Sequence, residues 1–414
     1  MNISLPGPTL SQRLTSGYFQ TPTDRLMLQN RTWSLLPYLL LFIPVTLLPQ
    51  LTFALEDPFK FDDFTSQMVD PQATKQTKAL YQHLHQFARS SQFLFGHQDD
   101  PAYGVHWKRE EGRSDVLEST GSYPAIYGWE LSKIGQQPYN IDSVSFADMQ
   151  RWMIEAYERG GINTISWHID NPVTGGDSWD TTSAIPTILP GGEHHDWYKW
   201  KLDLFADFVN EVESGFLFKQ KVPIIFRPFH EHTGSWFWWG TTHCTPAQYQ
   251  HLWRFTVEYL RDQKGLHQLI YAYSTDIFET EEQYLAFYPG DEYVDIMGMD
   301  DYHDISVHGD PQNLTRRLRM LVEIAEAHEK IPALTETGQE KIPDHFWWNR
   351  TLLDHIVADP VASRIAYVMV WRNARLDHHY VPYPGHPSRP DFVLFRHRDE
   401  VWFENDLPDV YRLR

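Results

Sequence analysis

Eight short runs of apolar and β-branched residues recur along the chain, and helix-length segments separate them. The runs are Phe93–His97, Ala125–Trp129, Thr164–His168, Val222–Arg227, Leu269–Tyr273, Val294–Gly298, Ala333–Thr335 and Ile365–Val370. Between them, Phe146–Arg159, Trp197–Val212, Tyr249–Leu260 and Leu314–Ala327 carry apolar residues at helical spacing. Several of the runs are apolar on both faces, as parallel strands covered by helices are. Strand alternating with helix eight times predicts an α/β fold, a (β/α)8 TIM barrel in a single domain. A doubly wound open sheet is the alternative, but no Gly-rich phosphate loop follows the first run.

The 55 acidic and 35 basic side chains leave a formal charge of -20, which argues against nucleic acid or an anionic membrane as partner. Cys244 is the single cysteine, so no intrachain disulfide can form. From Ser34 to Leu51 the chain is apolar and uncharged; Arg31 precedes this run and Thr52-Phe53-Ala54 follows it. Thr52 at −3 and Ala54 at −1 read as a small-residue secretory cleavage site, with a transmembrane helix as the alternative. The expectation is an N-terminal extension and signal peptide over residues 1–54, with the true start at Met27, and a catalytic domain over residues 55–414. The protein would be secreted or periplasmic, without stable membrane insertion after cleavage.

Chemistry-bearing side chains cluster where the runs end. The fourth run stops at Arg227-Pro228, because proline cannot donate to a central ladder, and releases His230-Glu231 into the loop Gly234-Ser-Trp236-Phe-Trp-Trp239-Gly240. A carboxylate just beyond a buried parallel strand stands where barrels keep their chemistry. His97 to Asp100, Trp129-Glu130, Trp167-His168 with Asn171, Asp300-Asp301-Tyr302, Glu336 and Trp371-Arg372 end other runs. An insertion after the third contains Trp179.

Glu231 and Glu336 end strands four and seven, which face each other across a barrel mouth. Opposed carboxylates suit glycosidic cleavage: one protonates the leaving oxygen, the other stabilises or attacks the anomeric carbon. The acid needs apolar neighbours that raise its pKa, and Trp236 to Trp239 could supply them. The nucleophile needs hydrogen bonds that favour its charge, and Tyr302 and Arg372 are the candidates. Flat aromatic faces also suit sugar rings, although Trp238 and Trp239 read equally well as loop anchors. Phe146–Arg159 reads as a solvated amphipathic helix. Two other classes stay open. His230, His232, Glu193 to Asp196 and His303 could be metal ligands, although no His-Glu-x-x-His helix occurs. A non-catalytic carbohydrate-binding protein would need no opposed glutamates.

The residues assembled above resemble glycoside hydrolase family 26, the β-mannanase family, from Phe95-Gly-His-Gln-Asp-Asp100 to Trp371. The marks are Ser166-Trp-His168 with Asn171-Pro172, the run Arg227-Pro-Phe-His-Glu-His-Thr-Gly-Ser-Trp-Phe-Trp-Trp239, Asp300-Asp-Tyr302 and Leu334-Thr-Glu-Thr-Gly338. The resemblance implies a retaining double displacement on β-mannan, glucomannan or galactomannan, with Glu231 as acid/base, Glu336 as nucleophile, and no cofactor or metal. His230 and Tyr302 would orient the carboxylates, while His168, Trp236 and Trp371 line sugar sites and Trp179 forms a more distal contact. His97 and Arg372 are counted among the substrate-binding residues. Two positions depart from the family pattern: His232-Thr233 stands where Met-Asn is usual, and Glu130 stands in place of an expected Asp and receives no role.

Overall fold

The computed structural model describes residues 64–413. The expected signal peptide and its cleavage site lie outside the described residues. Eight parallel strands close on themselves: β1 Phe93–Gln98, β2 Ile126–Glu130, β3 Ile162–Ser166, β4 Ile224–Arg227, β5 Leu269–Thr275, β6 Ile296–Asp301, β7 Ile331–Thr337 and β8 Tyr367–Val370. β8 pairs with β1, from Leu94 opposite Tyr367 to His97 opposite Val370, which completes the barrel. No edge remains in the ring except where Val401–Trp402 pairs briefly at the start of β1.

Period-two alternation sorts the side chains. Leu94, Ile126, Ile162, Ile225, Ile270, Ile296, Ile331 and Tyr367, one from each strand, belong to one buried cluster inside the ring. Phe64, Met68, Leu80, Tyr81 and Leu84 join that cluster, so the segment leading through the helix Lys75–Phe87 plugs the end where the strands begin. The alternate residues, among them Phe95, Tyr127, Phe226, Tyr271, Met297, Leu334 and Val368, pack outward with the helices. Of those helices, Phe146–Arg159 starts on a Ser145 cap and stops at Gly160, whose φ of 101° suits glycine. It is amphipathic as expected: Met149, Trp152, Met153 and Ala156 are buried, and Trp152 stacks on Trp129 with ring centroids 6.3 Å apart.

Strand limits move for identifiable reasons. β4 begins at Ile224 because Pro223 has no N–H for the ladder. β3 ends at Ser166 rather than His168, since the His168 N–H donates to the Glu130 carboxylate at 2.8 Å instead of to a strand. β6 and β7 run further than their apolar cores, through Asp301 and Thr337. β7 also carries one extra residue. Met299 lies opposite Leu334 and Asp300 opposite Glu336, while on the other side Leu334 and Thr337 face Val368 and Val370. This is a β-bulge at Thr335-Glu336.

Candidate active site

The bulge decides where Glu336 points. Under strict alternation Ile331, Ala333 and Thr335 face inward and residue 336 faces the helices. The extra residue re-aims Glu336 into the mouth, level with Asp300. Arg227 also faces inward, two residues beyond Ile225. Its guanidinium donates to Glu336 Oε2 at 2.5 Å, to Asp300 Oδ2 at 2.5 Å and to Ser274 Oγ at 3.2 Å. The Tyr302 hydroxyl donates to Glu336 Oε1 at 2.8 Å, so both carboxylate oxygens are held by donors.

Glu231 arrives differently. β4 has stopped at Arg227, and Phe229 and Glu231 adopt left-handed backbone at φ 50° and 54°. Such strain persists only where neighbours fix the chain. Here Tyr249 donates to the Phe229 carbonyl at 2.9 Å, Trp239 Nε1 to the His230 carbonyl at 2.8 Å, and the Glu231 N–H donates to the Ser274 carbonyl at 3.1 Å. The carboxylate itself accepts one bond from protein, from Trp236 Nε1 at 2.8 Å. Burial, then the charges of Glu336, Asp300 and Asp276, push its pKa well above the usual carboxyl range, and Arg227 only partly opposes them.

Both glutamates line one cleft of about 400 Å³, together with His168, Trp179, His230, Trp236, Tyr302 and Trp371. Phe237, Asp276, His303 and Tyr380 complete its wall. Trp238 and Trp239 are fully buried and act as anchors: Trp238 Nε1 donates to the Ile169 carbonyl at 2.9 Å. Trp179, 48% exposed, reaches over the cleft and stacks on His168 with centroids 5.0 Å apart and planes 11° apart. His230 is buried and its Nδ1 has no partner within the protein. Burial, followed by the nearby Arg227, His168 and His232, holds its pKa well below that of an ordinary histidine.

Two expected site residues lie elsewhere. His97 shares the outward face of Phe93 and Phe95, is 1% exposed, and bonds Asp100 through Nδ1 at 2.8 Å. Arg372 does not accompany Glu336. It pairs with Asp142 at 2.7 Å and reaches the Tyr103 hydroxyl at 3.3 Å, lining a separate cleft of about 220 Å³. The place beside Glu336 expected of Arg372 is taken by Arg227, which the parity of β4 aims inward.

Glu130, given no role from sequence, holds His168. Its Oε2 meets His168 Nδ1 at 2.6 Å, and its Oε1 accepts from the backbone of His168 and Ser132 at 2.8 and 2.6 Å. Burial alone would lower the His168 pKa; the charge and hydrogen bond of Glu130, with Glu336 and Asp142 beyond, raise it overall. The histidines expected as possible metal ligands do not converge on one point. His232 is fully buried between the hydroxyls of Tyr249 and Tyr273, 3.4 and 3.1 Å from its two ring nitrogens, and faces away from the cleft. His195 bonds the Ile188 carbonyl at the start of the helix His195–Glu211. Among the described residues no group of three His, Cys, Asp or Glu side chains is arranged to hold a metal.

Residues 69–365 match the model of glycosyl hydrolase family 26. The chain belongs to that family. Among family 26 structures, a β-mannanase from Bacteroides ovatus is 42% identical, with a TM-score of 0.77 over 82% of this chain and 98% of its own. The endo-β-1,4-mannanase of Cellulomonas fimi is 35% identical, with a TM-score of 0.76 over 83% of this chain and 79% of its own. A mannan endo-1,4-β-mannosidase of Bifidobacterium adolescentis is 34% identical over 73% of this chain. The chain spans 32% of that relative's length and 52% of a mannan endo-1,4-β-mannosidase from Bacillus subtilis.

Proposed function

We propose that this family 26 chain is a retaining endo-β-1,4-mannanase, with Glu336 as nucleophile and Glu231 as acid/base. One observation carries the reading: two glutamates, one from the loop after β4 and one from β7, line the same cleft in opposed surroundings, one desolvated and one held by donors. The carboxylate of Glu336, fixed by Arg227 and Tyr302, attacks the anomeric carbon and forms a glycosyl ester. Glu231 gives its proton to the departing glycosidic oxygen as that bond breaks. Water then attacks the ester, Glu231 takes up its proton, and Glu336 leaves as a carboxylate.

The remaining cleft residues serve binding. His230 lines the cleft wall beside Glu231, and Trp371 and Trp179 offer aromatic faces. The substrate is β-mannan, glucomannan or galactomannan. The mannanase relatives at 34 to 42% identity support this substrate class. Chromatography of the first products from linear mannan tests it: a ladder of oligosaccharides is expected. Mannobiose alone, or cleavage confined to mixed-linkage glucan or β-1,3-xylan, would contradict it. Export with cleavage after Ala54 belongs to the same reading. Sequencing the exported chain should find Leu55 first, and residues 1–54 still attached would refute that step.

A further inference from the structure

The chain that leaves β8 loops back to the catalytic cleft at Tyr380. Asn373, fully buried, is the template of this loop. Its side-chain carbonyl accepts from the N–H groups of Tyr380 and Val381 at 2.8 and 3.0 Å. Its amide donates to the Val381 carbonyl at 3.0 Å and to Asp115 at 2.8 Å. Trp107 Nε1 and the Val105 N–H donate to the same Asp115 carboxylate at 2.8 and 2.9 Å, which moors the loop to the segment after β1. Two further contacts staple it to the segment after β7. The Lys341 N–H donates to the His379 carbonyl at 2.8 Å, and His378 Nδ1 meets the Glu340 carboxylate at 2.8 Å.

Held in this way, the Tyr380 ring lies against two parts of the surroundings of Glu336. One is the backbone two residues further along β7. A Cβ at Gly338 would stand 2.5 Å from Tyr380 Cδ1 and 3.4 Å from Cγ and Cε1, so ring and side chain cannot share that space. The φ of 141° there also suits glycine. The other part is Tyr302, whose ring meets that of Tyr380 edge to face, with centroids 5.9 Å apart and planes at 74°. Tyr302 is the residue whose hydroxyl donates to Glu336 Oε1. Two side-chain torsions place that hydroxyl, and a directional hydrogen bond needs both held. Burial, then the charges of Glu340 and Glu336, raise the Tyr380 pKa, so its own phenol stays neutral and brings no negative charge beside Glu336. We infer that, with Glu336 as the nucleophile, Tyr380 is a positioning residue: its ring holds the Tyr302 hydroxyl on Glu336 and so keeps the attacking carboxylate aimed. The ring, not the Tyr380 hydroxyl, carries this role.

The test uses the full chain and a 2-deoxy-2-fluoro mannoside whose activated leaving group needs no proton, so the rate of covalent labelling reports the nucleophile alone. Peptide mass spectrometry of the parent comes first. A label on a residue other than Glu336 would overturn the nucleophile assignment and the proposal with it; with the label on Glu336, the variants decide on Tyr380 by itself. Tyr380→Ala should slow the maximal labelling rate about tenfold with little change in the half-saturating concentration, as a misaimed nucleophile costs rate rather than affinity. Tyr380→Phe, which keeps the ring, should restore most of that rate. Tyr302→Phe should slow labelling by a similar factor. Adding Tyr380→Ala to it should cost no more than about twofold further, because the ring then has no hydroxyl to hold. A merely structural role would make the two losses multiply, and that result would overturn the proposal. So would a Tyr380→Phe variant as slow as Tyr380→Ala, or a Tyr380→Ala defect confined to the half-saturating concentration.

Discussion

Glu231 and Glu336 reach one cleft by opposite means. Glu231 hangs from left-handed backbone beyond a strand that has ended, buried, with one protein donor. Glu336 stays within a strand and is turned inward by a bulge onto Arg227 and Tyr302. The same side chain thus meets two electrostatic settings. Desolvation and like charge raise the pKa of the first, while Arg227 and Tyr302 hold both oxygens of the second. The proposed roles of acid and nucleophile rest on this contrast between the environments, not on the chemistry of glutamate.

The largest effects should come from removing either member. Glu336→Ala should abolish turnover for every leaving group. Glu231→Ala should lose about 10²- to 10⁴-fold on mannan, the range for general acid catalysis. It should keep most of its rate on an aryl mannoside whose leaving group needs no proton, and equal losses on both substrates would break the distinction.

Next comes the charge that holds Glu336. Arg227→Met strands Glu336 and Asp300 without their buried counter-ion, so stability should fall by about 3 to 5 kcal/mol, read by denaturant titration. A variant as stable as the parent would show that the pairing is not what fixes Glu336.

The coupling between the glutamates gives a smaller, signed effect. Glu336→Gln removes the second-largest cause of the raised Glu231 pKa and leaves burial, the largest. Carbon-13 titration should therefore place Glu231 lower than in the parent but still above an ordinary glutamate. In the parent, activity should fall as pH rises and Glu231 loses its proton; an alkaline limb in the usual carboxyl range would contradict its role.

Glu130→Gln should lower the His168 pKa and reduce kcat/KM by roughly tenfold, equivalent to about 1.4 kcal/mol. Its readout is the histidine titration, which a merely structural role would not move. Trp179→Ala, at the rim, should raise KM about fivefold with kcat unchanged, since an exposed aromatic contact contributes about 1 kcal/mol.

Much of this site could be read from residue patterns. The eight runs exposed the barrel because its strands are apolar on both faces, and Pro228 marked the end of β4. Other features left weaker signals. The bulge at Thr335-Glu336 has no glycine or proline to announce it, so alternation alone would have turned Glu336 outward. β6 and β7 looked short at the mouth because residues that extend them there, Asp300 and Glu336, are polar. Arg227 follows the same parity as Ile225, which makes it, and not Arg372, the donor to Glu336. Glu130 and His168 are 38 residues apart and meet only because β2 and β3 are neighbours. His97 follows an apolar run as the cleft-lining residues do, yet strand parity places it on the outward face.

The central claim is that Glu336 forms the covalent link to sugar while Glu231 supplies the proton. A 2-deoxy-2-fluoro mannoside with an activated leaving group, followed by peptide mass spectrometry, tests it most directly. The account predicts one glycosyl label, on Glu336. A label on any other residue, or turnover that inverts the anomeric centre without a label, would contradict it.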